Sequence, residues 1–98
     1  MGYVYIMANG LGNVLYIGVT TDLIRRIEEH VSGCGSKFAD KYNCHKLVYY
    51  EVYQTIDEAI RREKQLKWWH RRWKRNLIEK KNPRWADLAK NLQANPSI

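Results

Sequence analysis

Two tyrosines, an arginine, a histidine and a glutamate stand out in these 98 residues, because each falls where a reactive side chain is not the default. Tyr5 and Tyr16 alternate with apolar residues. Val4 and Ile6 fall on one face of a first strand, and Leu15, Ile17 and Val19 on one face of a second. If both apolar faces enter one core, the two phenols share the other side of the sheet, beside Gly18, which leaves open space there. Arg26 and His30, four apart, lie together on the shoulder of a helical apolar arc, whereas Arg25, Glu28 and Glu29 point away from it. Glu63 projects into the middle of an arc made by Ile56, Ala59, Ile60 and Leu66. A carboxylate on a core-facing arc must be paired, protonated or ligating a cation. Singly, each has a plain explanation: strand tyrosines, a helical neighbour pair, a structural ion pair.

The elements that position these residues follow from periodicity. Tyr3 to Met7 and Val14 to Val19 read as strands around the turn-rich break Asn9-Gly10-Leu11-Gly12-Asn13. Thr20-Thr21-Asp22 offers N-cap candidates for a helix through about Val31, on which Leu23, Ile24, Ile27 and Val31 form the apolar arc. Ser32-Gly33-Cys34-Gly35-Ser36 breaks that helix. Leu47 to Tyr53 is the third strand, and Thr55 with Glu58 has capping-box spacing for the next helix. Arg62 and Lys64 lie off its apolar arc, as solvated charges. Helix continues or restarts after Lys67 through Lys80, with a bend near Trp69-His70; Asn82-Pro83 ends it, and Arg84 to Asn91 can form a last short helix. One domain over residues 1–92 and a loose tail over 93–98 are expected. The class is α+β, a three-stranded, mostly antiparallel sheet flanked by helices.

Composition bounds the function. An apolar content of 45% suits a globular domain. No run is long enough to cross a bilayer, and the opening Met1-Gly2-Tyr3 shows no leader or lipidation pattern, so a soluble, cytoplasmic protein without a membrane partner is expected. Cys34 and Cys44 make no disulfide framework, and with His30 and His45 they match no familiar zinc spacing. The net charge of +7 is concentrated after residue 60, in Arg61, Arg62, Lys64, Lys67, Arg71, Arg72, Lys74 and Arg75, with Trp68, Trp69, Trp73 and Trp85 interleaved or following. Such a field attracts polyanions, nucleic acid foremost. Lys37, Lys41 and Lys46 are candidates to extend it, with ordinary exposed lysines the stronger reading; His45 and His70 have no assigned role.

Tyr3-Val4-Tyr5, Tyr16-Ile17-Gly18, then Arg26 and His30 on the following helix, and Arg61-Arg62-Glu63-Lys64-Gln65-Leu66-Lys67 occur in the order and spacing that resemble the GIY-YIG nuclease superfamily. The tryptophan-rich basic stretch, Leu77-Ile78-Glu79 and Asn82-Pro83-Arg84-Trp85 are similar to its small standalone bacterial members. The resemblance implies an endonuclease hydrolysing phosphodiesters with Mg²⁺ or Mn²⁺, in a setting such as DNA repair or recombination. By that resemblance Tyr16 is the phenol near the attacking water and Tyr5 supports it. Arg26 stabilises phosphate charge, His30 assists proton transfer, Glu63 binds the metal, and the late catalytic asparagine is Asn82, with Asn76 the competitor by spacing. The first motif reads Tyr-Val-Tyr instead of Gly-Ile-Tyr, and Val19 stands where the repair nuclease has a lysine. DNA is expected ahead of RNA, with a protein partner as a candidate source of specificity. The alternative is a nucleic-acid-binding module of the same fold with little or no catalysis.

Overall fold

The structure, a computed structural model, describes residues 1–93. In chain order it contains strands β1 (Gly2–Ala8) and β2 (Leu15–Thr20), helices α1 (Leu23–Val31) and α2 (Lys37–Lys41), and strand β3 (Lys46–Tyr53). Helices α3 (Ile56–Trp68), α4 (Arg71–Lys81) and α5 (Ala89–Gln93) follow. The sheet has the order β2-β1-β3 with both pairings antiparallel, so the expected α+β class holds.

Local chemistry accounts for most element ends. In the β1–β2 turn, Asn9 Oδ1 accepts from the backbone N–H groups of Asn13 and Val14, and Gly12 supplies a positive φ of 72°. Of the three N-cap candidates before α1, Asp22 caps it by accepting from Arg25 N. Thr55 and Glu58 form the full capping box of α3. Trp69, extended at ψ 148°, separates α3 from α4 where the bend was expected.

The sheet is covered on both faces. One core joins Val4, Ile6, Ile17 and Tyr49 of the strands to Ala59 and Leu66 of α3 and Ile78 of α4, with Leu15 and Val19 packed against it. The other joins Tyr5, Met7 and Leu47 to Leu23 and Ile27 of α1, Ala39 of α2 and Ala89 of α5. The phenol face is therefore a second core and not an open floor. The buried face of α1 is Leu23, Ile27 and His30, the first two packed in the core with Met7 and Leu47, whereas Ile24 and Val31 of the expected apolar arc are exposed.

Three local features depart from the sequence reading. Met7 pairs with Leu47 while Ile6 pairs with Tyr49, so Val48 is an extra residue in a β-bulge. Period two is broken there, and Val48 and Tyr49 both enter the α3 core. Helix α2 lies in a stretch with no helical periodicity and is started by Ser36, whose side chain accepts from Ala39 N. The last helix begins at Ala89, not Arg84. Residues 82–88 instead run along the outer edge of β3, where Leu88 N donates to Leu47 O at 2.8 Å and Asp87 Oδ1 accepts from Leu47 N at 3.2 Å. Trp85, at φ 54°, turns the chain for that purpose. Gln93, expected in a tail, closes α5, and the rest of that expected tail lies outside the described residues. No helix among the described residues is long and apolar enough to cross a membrane.

Candidate active site

Tyr5 lies opposite Gly18 in the β1–β2 ladder and Tyr16 lies opposite Met7, so the phenols are diagonal neighbours on one face. Their ring centroids are 6.3 Å apart. Gly18 permits this arrangement, since a Cβ there would overlap Tyr5 Cζ and Oη and sit 2.9 Å from Cε1. The open space expected beside the phenols is thus filled by Tyr5 itself, lying across the neighbouring strand.

Helix α1 brings the other two groups. Arg26 Nε donates to Tyr5 Oη at 3.2 Å, and His30 Nε2 lies 3.1 Å from the same oxygen. The His30 ring is also 5.4 Å from that of Tyr16. Arg26 is held further by its Nη1 donating to Glu29 Oε1 at 2.8 Å and its Nη2 donating to Gly35 O at 2.6 Å. Gly35 packs so closely on the imidazole that a Cβ would overlap it, and His30 Nδ1 is buried with no hydrogen-bond partner. Neither Glu29 nor Gly35 was singled out in the sequence. The i,i+3 spacing of Glu29 from Arg26 was a usable signal; the loop contact of Gly35 had none.

Burial sets the protonation states. Tyr5 is 1% exposed, and burial pushes its pKa up to about 12 against the lowering effect of Arg26. His30 is pulled down to about 4, first by burial and then by the Arg26 charge, so it is neutral at pH 7. Arg26 is raised above its ordinary range, chiefly by Glu29 and then by Tyr5, and Glu29 is lowered mainly by Arg26. The cluster thus pairs a locked phenol and a neutral imidazole with a permanently charged guanidinium. Tyr16, less buried than Tyr5, is the phenol nearer solvent.

Glu63 projects from α3, which packs on the Val4–Ile6–Ile17 face of β1 and β2, whereas Tyr5, Tyr16 and α1 occupy the opposite face. The expected convergence of Glu63 with the phenols is therefore not made by direct contact. Its carboxylate, 12% exposed, lies 2.8 Å from Lys67 Nζ, whose own side chain is 55% exposed. Of the three fates open to a core-side carboxylate, it adopts pairing, with a partner that solvent can draw away. Among the described residues it makes no hydrogen bond or ion pair with Tyr5, Tyr16, Arg26 or His30, and no group of three His, Cys, Asp or Glu is assembled to hold a metal.

Three expected site residues are occupied structurally. Asn82 is buried, and its Nδ2 donates to Val48 O and Ala86 O at 3.0 and 2.9 Å while its Oδ1 accepts from Ala86 N. It satisfies the carbonyl of the bulge residue and folds the chain onto β3, two strands from Tyr16, a lateral separation of roughly 10 Å. Asn76, its competitor, is exposed on α4. Arg62, expected as a solvated phosphate contact, donates to both Glu51 oxygens at 2.9 and 3.1 Å and lies over the Trp69 ring. Tyr49 and Tyr53 also donate to Glu51, which completes a network that the sequence did not announce. Arg75 is half-buried, donating to Gly12 O and lying over Trp85. Burial lowers the Lys74 pKa. Arg61, Lys64, Lys67, Arg71 and Arg72 remain exposed as a basic surface on α3 and α4, where Trp68 and Trp73 are also exposed. Cys34 and Cys44 are both free, as expected.

Comparison with known proteins identifies the family. The model of the GIY-YIG catalytic domain matches residues 1–76. UPF0213 proteins of Staphylococcus aureus strains Mu3 and Mu50 are each 37% identical over 79 residues, covering 81% of this chain and 95% of the relative. The solution NMR structure of the UPF0213 protein BH0048 from Bacillus halodurans is similar at a TM-score of 0.56 and 35% identity, over 92% of this chain and 96% of that one. A match that runs from Met1 into α4, with relatives spanned almost end to end, makes this chain a member of the GIY-YIG nuclease family, alongside its small single-domain proteins.

Proposed function

We propose that the protein is an endonuclease that hydrolyses nucleic-acid phosphodiesters, DNA ahead of RNA, with a divalent cation held by Glu63. The observation that carries this reading is the hydrogen-bonded convergence of Arg26, His30 and Tyr5 beside the less buried phenol of Tyr16. A phosphodiester is anionic, so its hydrolysis requires charge neutralisation and an activated water. Arg26 is the cation for the phosphoryl oxygens, and an incoming phosphate takes over the guanidinium hydrogens that Glu29 now engages. Tyr5 keeps its proton at neutral pH and acts by holding Arg26 and His30 in place. Buried His30, neutral at pH 7, would assist proton transfer through its 3.1 Å hydrogen bond with Tyr5 Oη and its place beside the Tyr16 ring, and Tyr16 takes or relays the proton of the attacking water.

The donor set fits Mg²⁺ or Mn²⁺. Mg²⁺ commonly binds through one or two carboxylates and completes its shell with water and substrate phosphate, and Glu63 is a single carboxylate paired only to an exposed lysine. When bound, such a cation polarises the phosphoryl oxygen and acidifies water. The exposed cations of α3 and α4 would hold flanking phosphates, and a protein partner would narrow the choice of substrate. One observation favours the second reading, a binding module without catalysis: the Glu63–Lys67 ion pair competes with any metal. Cleavage assays with Mg²⁺ or Mn²⁺ separate the two. Glu63→Ala should lower cleavage by at least about a hundredfold, the scale for loss of one key electrostatic group, while the thermal transition stays intact. Cleavage that persists in chelator or in Glu63→Ala removes the metal mechanism; tight binding without any cleavage leaves the module.

A further inference from the structure

Helix α2 and its C-cap residue present two aromatic side chains to solvent. Ala39 is its buried contact with the core, while Phe38 is 48% exposed and Tyr42 is 41% exposed. Both continue the phenol cluster outward. Phe38 stacks on Tyr16 with centroids 6.2 Å apart and ring planes 30° apart, and Tyr42 follows Phe38 at 4.9 Å. Lys41 Nζ lies 5.4 Å from the Tyr42 ring centroid, and Lys37 is exposed on the same short helix. An aromatic strip therefore runs from buried Tyr5 through Tyr16 to solvent, and ends beside Lys41.

Resting on the nuclease reading above, we propose that Phe38 and Tyr42 form a nucleobase subsite next to the reacting phosphate. A phosphate at Tyr16 and Arg26 has its neighbouring base within reach of Phe38, because Phe38 and Tyr16 are themselves in contact. Exposed aromatic faces accept any base by stacking, and adjacent ammonium groups take the phosphates on either side. Charge complementarity fits this occupant: Lys37 and Lys41 are exposed on α2, and Asp40, the acidic residue of α2, lies 3.4 Å from His45 Nε2. The subsite fixes which nucleotide lies beside the cut, and it favours strands whose base at that position is free to leave its stack.

The test uses the full chain and a single-stranded DNA oligonucleotide with its cleavage position mapped. Abasic nucleotides are placed one at a time on either side of the cut. With the wild type, one abasic position should raise KM about tenfold, the scale of one lost base–aromatic stack, with kcat changed far less. Phe38→Ala should raise KM similarly on the intact oligonucleotide and become indifferent to that abasic position, whereas Phe38→Trp should behave as wild type. Equal abasic penalties in wild type and Phe38→Ala, or no penalty at any position, overturn the subsite while leaving the nuclease reading untouched. If no oligonucleotide is cut, that reading fails, and 2-aminopurine scanned along the same strand decides the subsite alone. Quenching at one position in the wild type and its loss in Phe38→Ala supports it. Binding without position-specific quenching, or no binding, overturns it.

Discussion

Replacing Gly18 by alanine adds one methyl group at the point where the site is packed most tightly. The new Cβ would overlap Tyr5 Oη and Cζ, and the phenol has no easy retreat, since it is 1% exposed and packed among Met7, Leu23 and Ile27. Ordinary carbon contact requires roughly 3.5 Å, so the ring must withdraw by about 1 Å. Its hydrogen bonds to Arg26 and His30, now 3.2 and 3.1 Å, would then pass the useful range. Losing the charged bond costs about 1.5–3 kcal/mol and the neutral one about 1. If the ring holds its place instead, overpacking costs about 1–3 kcal/mol. These are alternatives and do not add, so the expected loss is about 3 kcal/mol, or roughly 15 °C in Tm for a domain of this size. Thermal and urea unfolding followed by circular dichroism measure it. Gly10→Ala is the control, because a Cβ there meets nothing within 4 Å and should shift stability by less than about 0.5 kcal/mol. Should Gly18→Ala melt within 2 °C or so of wild type, against this estimate, the seating of Tyr5 across β2 is wrong, and the Arg26–Tyr5–His30 arrangement with it.

Asn82→Ala should cost about 3 kcal/mol by orphaning the Val48 and Ala86 carbonyls and the Ala86 N–H, and activity measured well below its melting point should be largely retained; a stable but inactive variant would return a chemical role to this asparagine. Arg62→Ala should destabilise by about 2 kcal/mol through the Glu51 carboxylate it leaves. Arg71→Ala should leave Tm alone and lower the salt slope of nucleic-acid binding by about one, so matched effects of the two on binding would refute this division. His30 titrates near pH 4 when folded and near 6.5 when exposed, so between these values the unfolded chain binds the extra proton. Stability is then complete above pH 6.5 and falls toward pH 4, by up to about 3 kcal/mol from this residue, and urea titrations of His30→Gln should show a flatter profile over that window.

Much of the frame was legible because it follows local rules. The face assignment of Val4, Ile6, Leu15, Ile17 and Val19 needed only period two, and the Thr55–Glu58 box needed only spacing. The motif order likewise carried the family. What escaped depends on contacts between elements. The bulge at Val48 exists because Ile6 and Met7 pair out of step with β3, and strand periodicity contains no sign of it. Once the bulge forms, its carbonyl needs a donor, and Asn82 is the residue the chain delivers; from sequence alone the same asparagine read as catalytic. Arg62 was misread for a related reason. It lies off the apolar arc of its helix, but Glu51 on β3, itself held by the Tyr49 and Tyr53 hydroxyls, meets it. Helix α2, five residues long, is too short to show periodicity, and its aromatic pair acquires meaning only once Tyr16 is beside it.

The two tyrosines of the signature have different surroundings, and on the proposed nuclease reading these assign them different tasks. A nearby cation should favour phenolate, and Arg26 does lie on Tyr5 Oη; yet burial outweighs it and the proton stays on to about pH 12. A phenol so held cannot remove a proton from water at neutral pH. It can fix directions: one oxygen meets Arg26 Nε and His30 Nε2 together, so both groups of α1 are referenced to β1 through a single atom. Tyr16 is less buried, and its ring lies 5.4 Å from that of the imidazole on one side and 6.2 Å from exposed Phe38 on the other. Reaction with a solvent molecule requires access, and positioning requires burial, so one phenol cannot serve both ends. On the proposed reading, that requirement accounts for a phenol on each of two adjacent strands, with glycine at position 18 allowing the buried one to lie across the neighbouring strand.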